Sequence, residues 1–362
     1  MDAEKITSLL KRQNLTPPEL LTVAITGQCN LHCAHCWVEA GPTSTAAQVS
    51  TQKLQRLIED FAALDGAALR LTGGEPLLHP DWLELLAAGD AAGLKLLLQT
   101  NGMLFEDNNL RALQALELKD LSIQISLDGA TAASHDRVRG AGAYEQTLLG
   151  IKRLSAAGFG QTLELFFTEM RHNLHELPEL LLQAERLGIG SVSSGCLVAC
   201  GRAGAAEGIA PPEPEQYLEL LQRHADDQQF QRCYAKLGTI AALEWCADES
   251  AGQGCAFIKN PYLTAEGTLY PCLLCHADEY SVAEVFSKGW AAALIEGVPL
   301  WSKLQKVSRQ RISAIESCQE CALLKSCAAG CMGRAWGSFG DFMQAEDRCR
   351  QRQAVLLWRE KF

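Results

Sequence analysis

The sequence predicts an α/β protein: a partial, open (β/α)6 TIM-type barrel followed by a small cysteine-rich domain. Six short apolar runs alternate with stretches patterned at helical spacing, as in βα units whose right-handed crossovers build a parallel sheet. Six such units are too few for a closed eightfold barrel, so the barrel is expected to be open. Beyond it, seven cysteines fall at fixed offsets between Cys255 and Cys349.

The chain has 362 residues, long enough for one large α/β domain and a smaller module. Its 48% hydrophobic and 21% charged content is ordinary for a water-soluble protein, and no apolar run is long enough to span a bilayer. The opening MDAEKITSLLKRQNL has neither the charge order nor the apolar core of a secretory signal, so a cytoplasmic location is expected. Fifteen cysteines in such a chain point to metal or cluster binding rather than disulfides. A net charge of −11 with dispersed cations argues against nucleic-acid binding. The two modest basic runs, 303–311 and 348–361, read as solvated helix faces.

A short helix over 5–12 is ended by Pro17 and Pro18. The strands are expected at 20–26, 67–72, 94–100, 121–127, 162–167 and 189–195. Helical patterns occupy 52–64, 82–92, 110–116, 144–157 and 176–187 between them. Residues 201–214, GRAGAAEGIAPPEP, read as a flexible loop leaving the barrel, and 215–242 as one or two bridging helices. The expected division is an N-terminal extension (1–20), a barrel (21–214), a helical bridge (215–254), a cysteine-rich domain (255–349) and a C-terminal helix (350–362).

Ligands in parallel α/β folds bind at the carboxyl ends of the strands, and the first strand runs straight into CNLHCAHC. Cys29, Cys33 and Cys36 form a C-x3-C-x2-C triplet with no fourth cysteine. A structural zinc site wants four ligands and a cubane cluster one per iron, so three thiols leave one metal position open. Alternatively, a zinc hook could be completed by a distant cysteine or by His32.

The triplet resembles the signature of the radical SAM enzymes, with His35 in the place of the ring that usually precedes the last cysteine. That resemblance implies a 4Fe-4S cluster whose fourth iron chelates the amine and carboxylate of S-adenosylmethionine. Reductive cleavage of the cofactor then gives a 5′-deoxyadenosyl radical that abstracts hydrogen from the substrate. TGGEP at 72–76 matches the family's GGEP motif: Gly73 and Gly74 permit close backbone approach, and Glu75 offers a carboxylate to the cofactor's amine. By the same resemblance Asn101 in QTNG, Ser126 and Asp128 in SLDG, and Arg139 in HDRVRG contact the ribose and carboxylate, with Arg137 interchangeable with Arg139. Backbone near Leu197 would face the adenine.

From Cys255 the chain reads C-x11-G-x4-C, then C-x2-C-x5-C-x3-C, then Cys349. This pattern resembles the SPASM extension, which implies two auxiliary 4Fe-4S clusters and thus three in all. Cys318, Cys321, Cys327 and Cys349 would hold the outer one; Cys255, Cys272 and Cys331 the nearer one. Its fourth ligand is Cys275, Cys246 or Cys233, or the iron stays open; Cys275 is favoured. A pair of zinc knuckles is the alternative. AEGTLYPC at 265–272 reads as a hairpin turning at Gly267.

Relatives with this extension mostly modify peptides or proteins, by thioether or carbon–carbon crosslinks or by side-chain oxidation, so a peptide maturase is expected. An external donor of flavodoxin or ferredoxin type would supply electrons. Sulfatase-maturing relatives carry an acid after the G-x4-C cysteine, where this chain has Leu273; Asp278 and Glu279 are the nearby candidate bases. Twenty residues before the first strand are too few for a leader-binding domain, implying a separate leader-recognition protein or a short substrate that docks directly. The alternatives are an enzyme of cofactor or tetrapyrrole biosynthesis and, from another class, a non-catalytic iron–sulfur carrier or zinc-binding interaction protein.

Overall fold

The computed structural model describes residues 3–42, 47–247 and 255–360. Six parallel strands form the body of the sheet: β1 (Leu20–Thr26), β2 (Ala68–Gly73), β3 (Lys95–Thr100), β4 (Leu121–Ser126), β5 (Leu163–Glu169) and β6 (Ser191–Cys196). The helices that cover it are α2 (Thr51–Ala63), α3 (Trp82–Ala91), α4 (Asp107–Ala115), α6 (Ala143–Ala156) and α7 (Leu177–Arg186), preceded by α1 (Ala3–Arg12), while α5 (Ala132–Arg139) lies at the carboxyl edge against residues 29–36. The short α5 escaped the sequence reading because AASHDRVR buries only Ser134, His135 and Val138 and has little apolar periodicity.

Alternation along the strands decides where the core lies. In β4, Leu121, Ile123 and Ile125 are buried against helices, while Ser122, Gln124 and Ser126 turn to the concave face. The concave face is polar deep down: Gln124 Nε2 donates to Glu164 Oε1 at 3.0 Å, and the Ser193 hydroxyl donates to the same oxygen. The apolar layer therefore sits between sheet and helices, and the inside of the half-barrel remains available as a cavity.

Both sheet edges are extended. β7 (Gly238–Thr239) pairs with β6, and β8 (Tyr262–Leu263) pairs parallel with β1, Thr22 opposite Tyr262. An antiparallel β9 (Leu269–Tyr270) closes a hairpin on β8, with Gly267 at φ +94° in its turn. The sheet thus runs past residue 255 into the cysteine-rich segment. The bridge is α8 (Pro214–Asp226), α9 (Gln228–Leu237) and α10 (Ala241–Ala247).

After α11 (Val285–Lys288), the 25-residue α12 (Trp290–Ala314) ties the barrel to the cysteine-rich segment. Trp290 meets Phe61 of α2 edge-on at 5.5 Å, and Trp301 Nε1 donates to the Tyr280 carbonyl at 2.9 Å. Then follow α13 (Glu316–Gln319), α14 (Leu324–Cys327), α15 (Met332–Phe339) and α16 (Cys349–Arg359). The basic runs are not simply solvated: Arg311 and Arg348 are 1% and 6% exposed.

Residues 201–214 do not leave the barrel. Gly201–Gly204 forms a 3-10 turn against the cysteine loop, and Ala210 accepts from Arg171 N at 2.9 Å.

Ile123, wholly buried between sheet and helices, is expected to cost about 2–5 kcal/mol of unfolding free energy as Ile123→Ala. Leu149→Ala, at an exposed position, should stay within about 0.5 kcal/mol; urea denaturation of the two variants makes the comparison.

Candidate functional site

The end of β1 delivers the cysteine loop to the carboxyl edge of the sheet. Its backbone is fixed at several points: Cys29 N donates to Gly41 O at 3.2 Å, Ala34 N to Val138 O at 2.7 Å and Cys36 N to Cys33 O at 3.2 Å. Cys29 and Cys33 are each only 9% exposed. Burial pushes the Cys29 thiol up to about 12, and burial likewise raises Cys33, against the opposing pull of Arg139. Thiolates here need a metal to answer their charge, which is the donor set a cubane cluster requires.

Above the loop lies an open cavity of about 860 Å³ lined by all three cysteines. Gly73, Gly74, Asn101, Ser126, His35 and Arg139 share its wall, from five different segments of chain. The glycines have a steric reason: a Cβ on Gly74 would stand 2.0 Å from the Gln28 carbonyl oxygen, and Gly73 has φ +138°.

Four expected contacts are placed differently. Glu75 is fully enclosed and does not line the cavity; its carboxylate accepts from Leu77 N (3.2 Å), Thr100 Oγ1 (2.7 Å) and Asn101 N (2.8 Å). It anchors the ends of β2 and β3, and burial, only partly offset by those donors, lifts it to about 7. Asp128 is also enclosed. It receives Arg139 Nε at 2.6 Å, His35 Nε2 at 3.2 Å and Thr168 N at 2.8 Å. Burial would raise its pKa, but Arg139 and His35 outweigh that and hold it well below the usual carboxylate range. Asp128 therefore aims the two side chains that do face the cavity. Leu197 is buried against Val138, Met170 and Ala203, away from the cavity. Asp278 is exposed and accepts from the Tyr270 hydroxyl at 2.8 Å; neither it nor Glu279 lines the cavity.

Arg202 was not foreseen. It lines the cavity and clamps the cysteine loop, Nε to Cys33 O at 2.8 Å and Nη2 to Ala40 O at 2.6 Å, while its own N–H donates to Cys36 O at 3.1 Å. Gly201 before it allows this approach, since a Cβ there would lie 2.6 Å from the Trp37 carbonyl oxygen. The Gly-Arg-Ala-Gly stretch looked like a linker because its partners are backbone carbonyls distant in sequence. The aromatic outer wall was also missed. Trp37, Tyr262 and His276 lie within 5.3 Å of one another, and Tyr270 stacks on His276 at 4.5 Å. Tyr262 brings β8 to the cavity rim.

The remaining cysteines gather in two sets. Cys318, Cys321, Cys327 and Cys349 line one pocket of about 410 Å³ beneath α16. Cys272, Cys275 and Cys331 are buried thiols raised mainly by that burial, each also opposed by neighbours of the same set, which includes Cys255. Cys275 is completely enclosed, whereas Cys233 donates to Glu185 at 3.4 Å, away from the set. The Cys246 side chain lies outside the described residues.

Removing the clamp in Arg202→Ala should release the loop and lower iron bound at the first three cysteines severalfold, with Arg202→Lys intermediate; colorimetric iron assay of reconstituted protein measures this. A second expectation concerns His135, whose Nδ1 accepts from Asp128 N at 3.0 Å and which burial, helped by Arg139, lowers to about 4. Its folded pKa lies below the unfolded 6.5, so its contribution is complete above that value and declines as pH falls toward 4. Urea midpoints of His135→Leu should lose up to one proton of pH dependence across this window.

Comparisons with known proteins agree with this geometry. Residues 23–183 match the family described as the Radical SAM superfamily. The AdoMet-dependent heme synthase of Methanosarcina barkeri is 28% identical over 349 residues, covering 92% of this chain and 96% of that protein. Mycofactocin maturase MftC of Mycobacterium ulcerans is 28% identical, covering 88% and 84%. Streptococcus suis SuiB, solved with its precursor peptide SuiA, superposes with a TM-score of 0.75 at 16% identity over 96% of this chain and 79% of that one. Residues 23–183 carry a radical SAM domain in a partial-barrel fold, and the chain is an enzyme.

Proposed function

We propose that the protein modifies a peptide by radical chemistry. The observation that carries this reading is the cavity: three thiols on its lining, two of them buried, close-approaching glycine backbone and a fixed guanidinium on its wall, and a rim shared by the barrel and the cysteine-rich segment. Cys29, Cys33 and Cys36 would hold a 4Fe-4S cluster with S-adenosylmethionine on its open iron. When bound, that pair supplies a 5′-deoxyadenosyl radical.

The chain's own residues then bind and aim. Backbone at Gly73 and Gly74 would receive the cofactor's amine. Arg139, held by Asp128, would meet its carboxylate, and Ser126 and Asn101 its ribose. His35 shares the Asp128 carboxylate and so keeps its ring at the wall. Trp37 and Tyr262 would give the cavity an apolar side against which a substrate side chain can be held for hydrogen abstraction. The two outer cysteine sets, in residues 255–349, would carry auxiliary clusters that take up the electron left on the substrate; Cys275 is the fourth ligand of the nearer set. A flavodoxin or ferredoxin would reduce the first cluster.

Peptide substrates are supported by SuiB, whose structure holds its precursor peptide, and by mycofactocin maturase. A second reading is a tetrapyrrole substrate, favoured by the heme synthase that this chain matches over 96% of that protein's length. The cavity weighs against it. The two arginines on its wall already have tasks, Arg139 between Asp128 and the cofactor's carboxylate and Arg202 on the loop carbonyls, so little cationic surface remains for a substrate bearing several carboxylates.

Anaerobically reconstituted protein should bind about twelve irons and, with dithionite and S-adenosylmethionine, release 5′-deoxyadenosine; Cys33→Ala should abolish that release. Co-expression with a short peptide encoded beside the gene should change the peptide's mass. A mass change in a haem precursor but in no peptide would overturn the peptide reading. Absence of 5′-deoxyadenosine above the Cys33→Ala background would overturn radical chemistry.

A further inference from the structure

Arg311, near the end of α12, is a buried cation with no carboxylate partner among the described residues. It is 1% exposed, and its guanidinium donates to four backbone carbonyls: Phe342 O at 2.7 Å, Gly330 O at 3.0 Å, Ala329 O at 3.1 Å and Gln344 O at 2.7 Å. A neutral residue could satisfy only some of these acceptors, and a full positive charge placed in such a site is costly unless negative charge lies nearby.

The position of Arg311 shows where that charge comes from. Ala329 and Gly330 belong to the four-residue step from Cys327, in the outer cysteine set, to Cys331, in the nearer one. Ala328, Ala329 and Gly330 are all left-handed there, at φ +50°, +63° and +68°. One turn earlier on the same face of α12, Ser308 Oγ accepts from Cys255 N at 3.2 Å. Just past the helix comes Cys318, and the thiols of Cys255 and Cys331, the Glu346 carboxylate and the Cys318 thiol all act on the Arg311 charge, against the burial that opposes it. The guanidinium therefore stands between the two sets. On the far side of the same step, Glu346 accepts from Cys331 N at 2.9 Å, but its charge is answered by Arg352 at 3.2 Å and Arg348 at 3.9 Å. Arg311, by contrast, forms no ion pair with a carboxylate among the described residues.

Resting on the reading that both sets hold 4Fe-4S clusters, we propose that Arg311 is a positioning residue whose charge is shared by the two auxiliary clusters and makes each of them easier to reduce. Adding one electron makes a thiolate-ligated cluster one unit more negative, and a fixed cation beside it stabilises that product over the oxidised form. By gripping the step between Cys327 and Cys331, the same side chain holds both clusters at a constant distance from its charge.

The test is an anaerobic redox titration of the reconstituted full-length protein with dithionite and mediators, followed by electron paramagnetic resonance, on wild type, Arg311→Gln and Arg311→Lys. The cluster on Cys29, Cys33 and Cys36, recognised by its response to S-adenosylmethionine, serves as internal reference. Arg311→Gln should reduce the equilibrium constant for one-electron reduction of each auxiliary cluster at least tenfold, a negative shift of about 59 mV. Arg311→Lys should stay close to wild type, and the reference cluster should not move. Unchanged auxiliary potentials in a fully loaded Arg311→Gln protein would overturn the proposal, as would equal shifts in both variants, which would mark a purely structural grip. If Arg311→Gln fails to hold auxiliary iron, Arg311→Lys decides: full iron with near-wild-type potentials supports the charge role, and loss of iron or a large shift refutes it. A wild-type protein holding about four irons would instead refute the cluster assignment itself.

Discussion

Burial raises the Cys29 and Cys33 thiols, so their thiolates call for a metal to answer the charge, and the barrel end is arranged around that constraint. Burial alone keeps Cys29 and Cys33 protonated in the metal-free chain. The protein contributes rigidity around them: Arg202 clamps the loop from one side, and Val138, in the helix that also carries Arg139, accepts from Ala34 on the other. Only the cavity side remains open.

The same economy of charge governs the wall. Arg139 is useful because Asp128 fixes it, and Asp128 tolerates complete burial because Arg139, His35 and a backbone amide reach it together. Glu75 performs a comparable task one strand pair away, gathering donors from the ends of β2 and β3 so that Asn101 and the glycine backbone keep their places. Carboxylates that a sequence suggests as cofactor contacts act here from behind, through the groups they hold. At the other end Arg311 does this without a carboxylate at all.

Much of this was legible in the sequence. Apolar runs alternating with helical patterns located all six strands of the barrel body within a few residues, because parallel strands must be apolar where helices cover them. Spacing marked the first triplet, whereas the division of the later cysteines into two sets came from the resemblance to the SPASM extension, since one set joins Cys255 and Cys272 to the distant Cys331. What stayed hidden was long-range or depended on side-chain direction. Spacing could place Glu75 and Asp128 at strand ends but could not show that both turn into the wall. The 201–214 stretch has linker composition, yet its arginine meets carbonyls more than 160 residues away. Arg311 sat in a basic run that resembles any solvated face, and the four carbonyls that capture it lie in loops 18 to 33 residues further on. The pairing of β8 with β1 joins residues whose separation no local pattern reports.

The central claim is that the open iron of the three-cysteine site is occupied by the amine and carboxylate of S-adenosylmethionine. Its most direct test is electron–nuclear double resonance of the dithionite-reduced protein carrying S-adenosylmethionine labelled with nitrogen-15 at the amine and oxygen-17 at the carboxylate. Hyperfine coupling of both labels to the cluster, lost in Cys33→Ala, is the expected result. A reduced cluster that shows no coupling to either label, with the cofactor demonstrably bound, would contradict it.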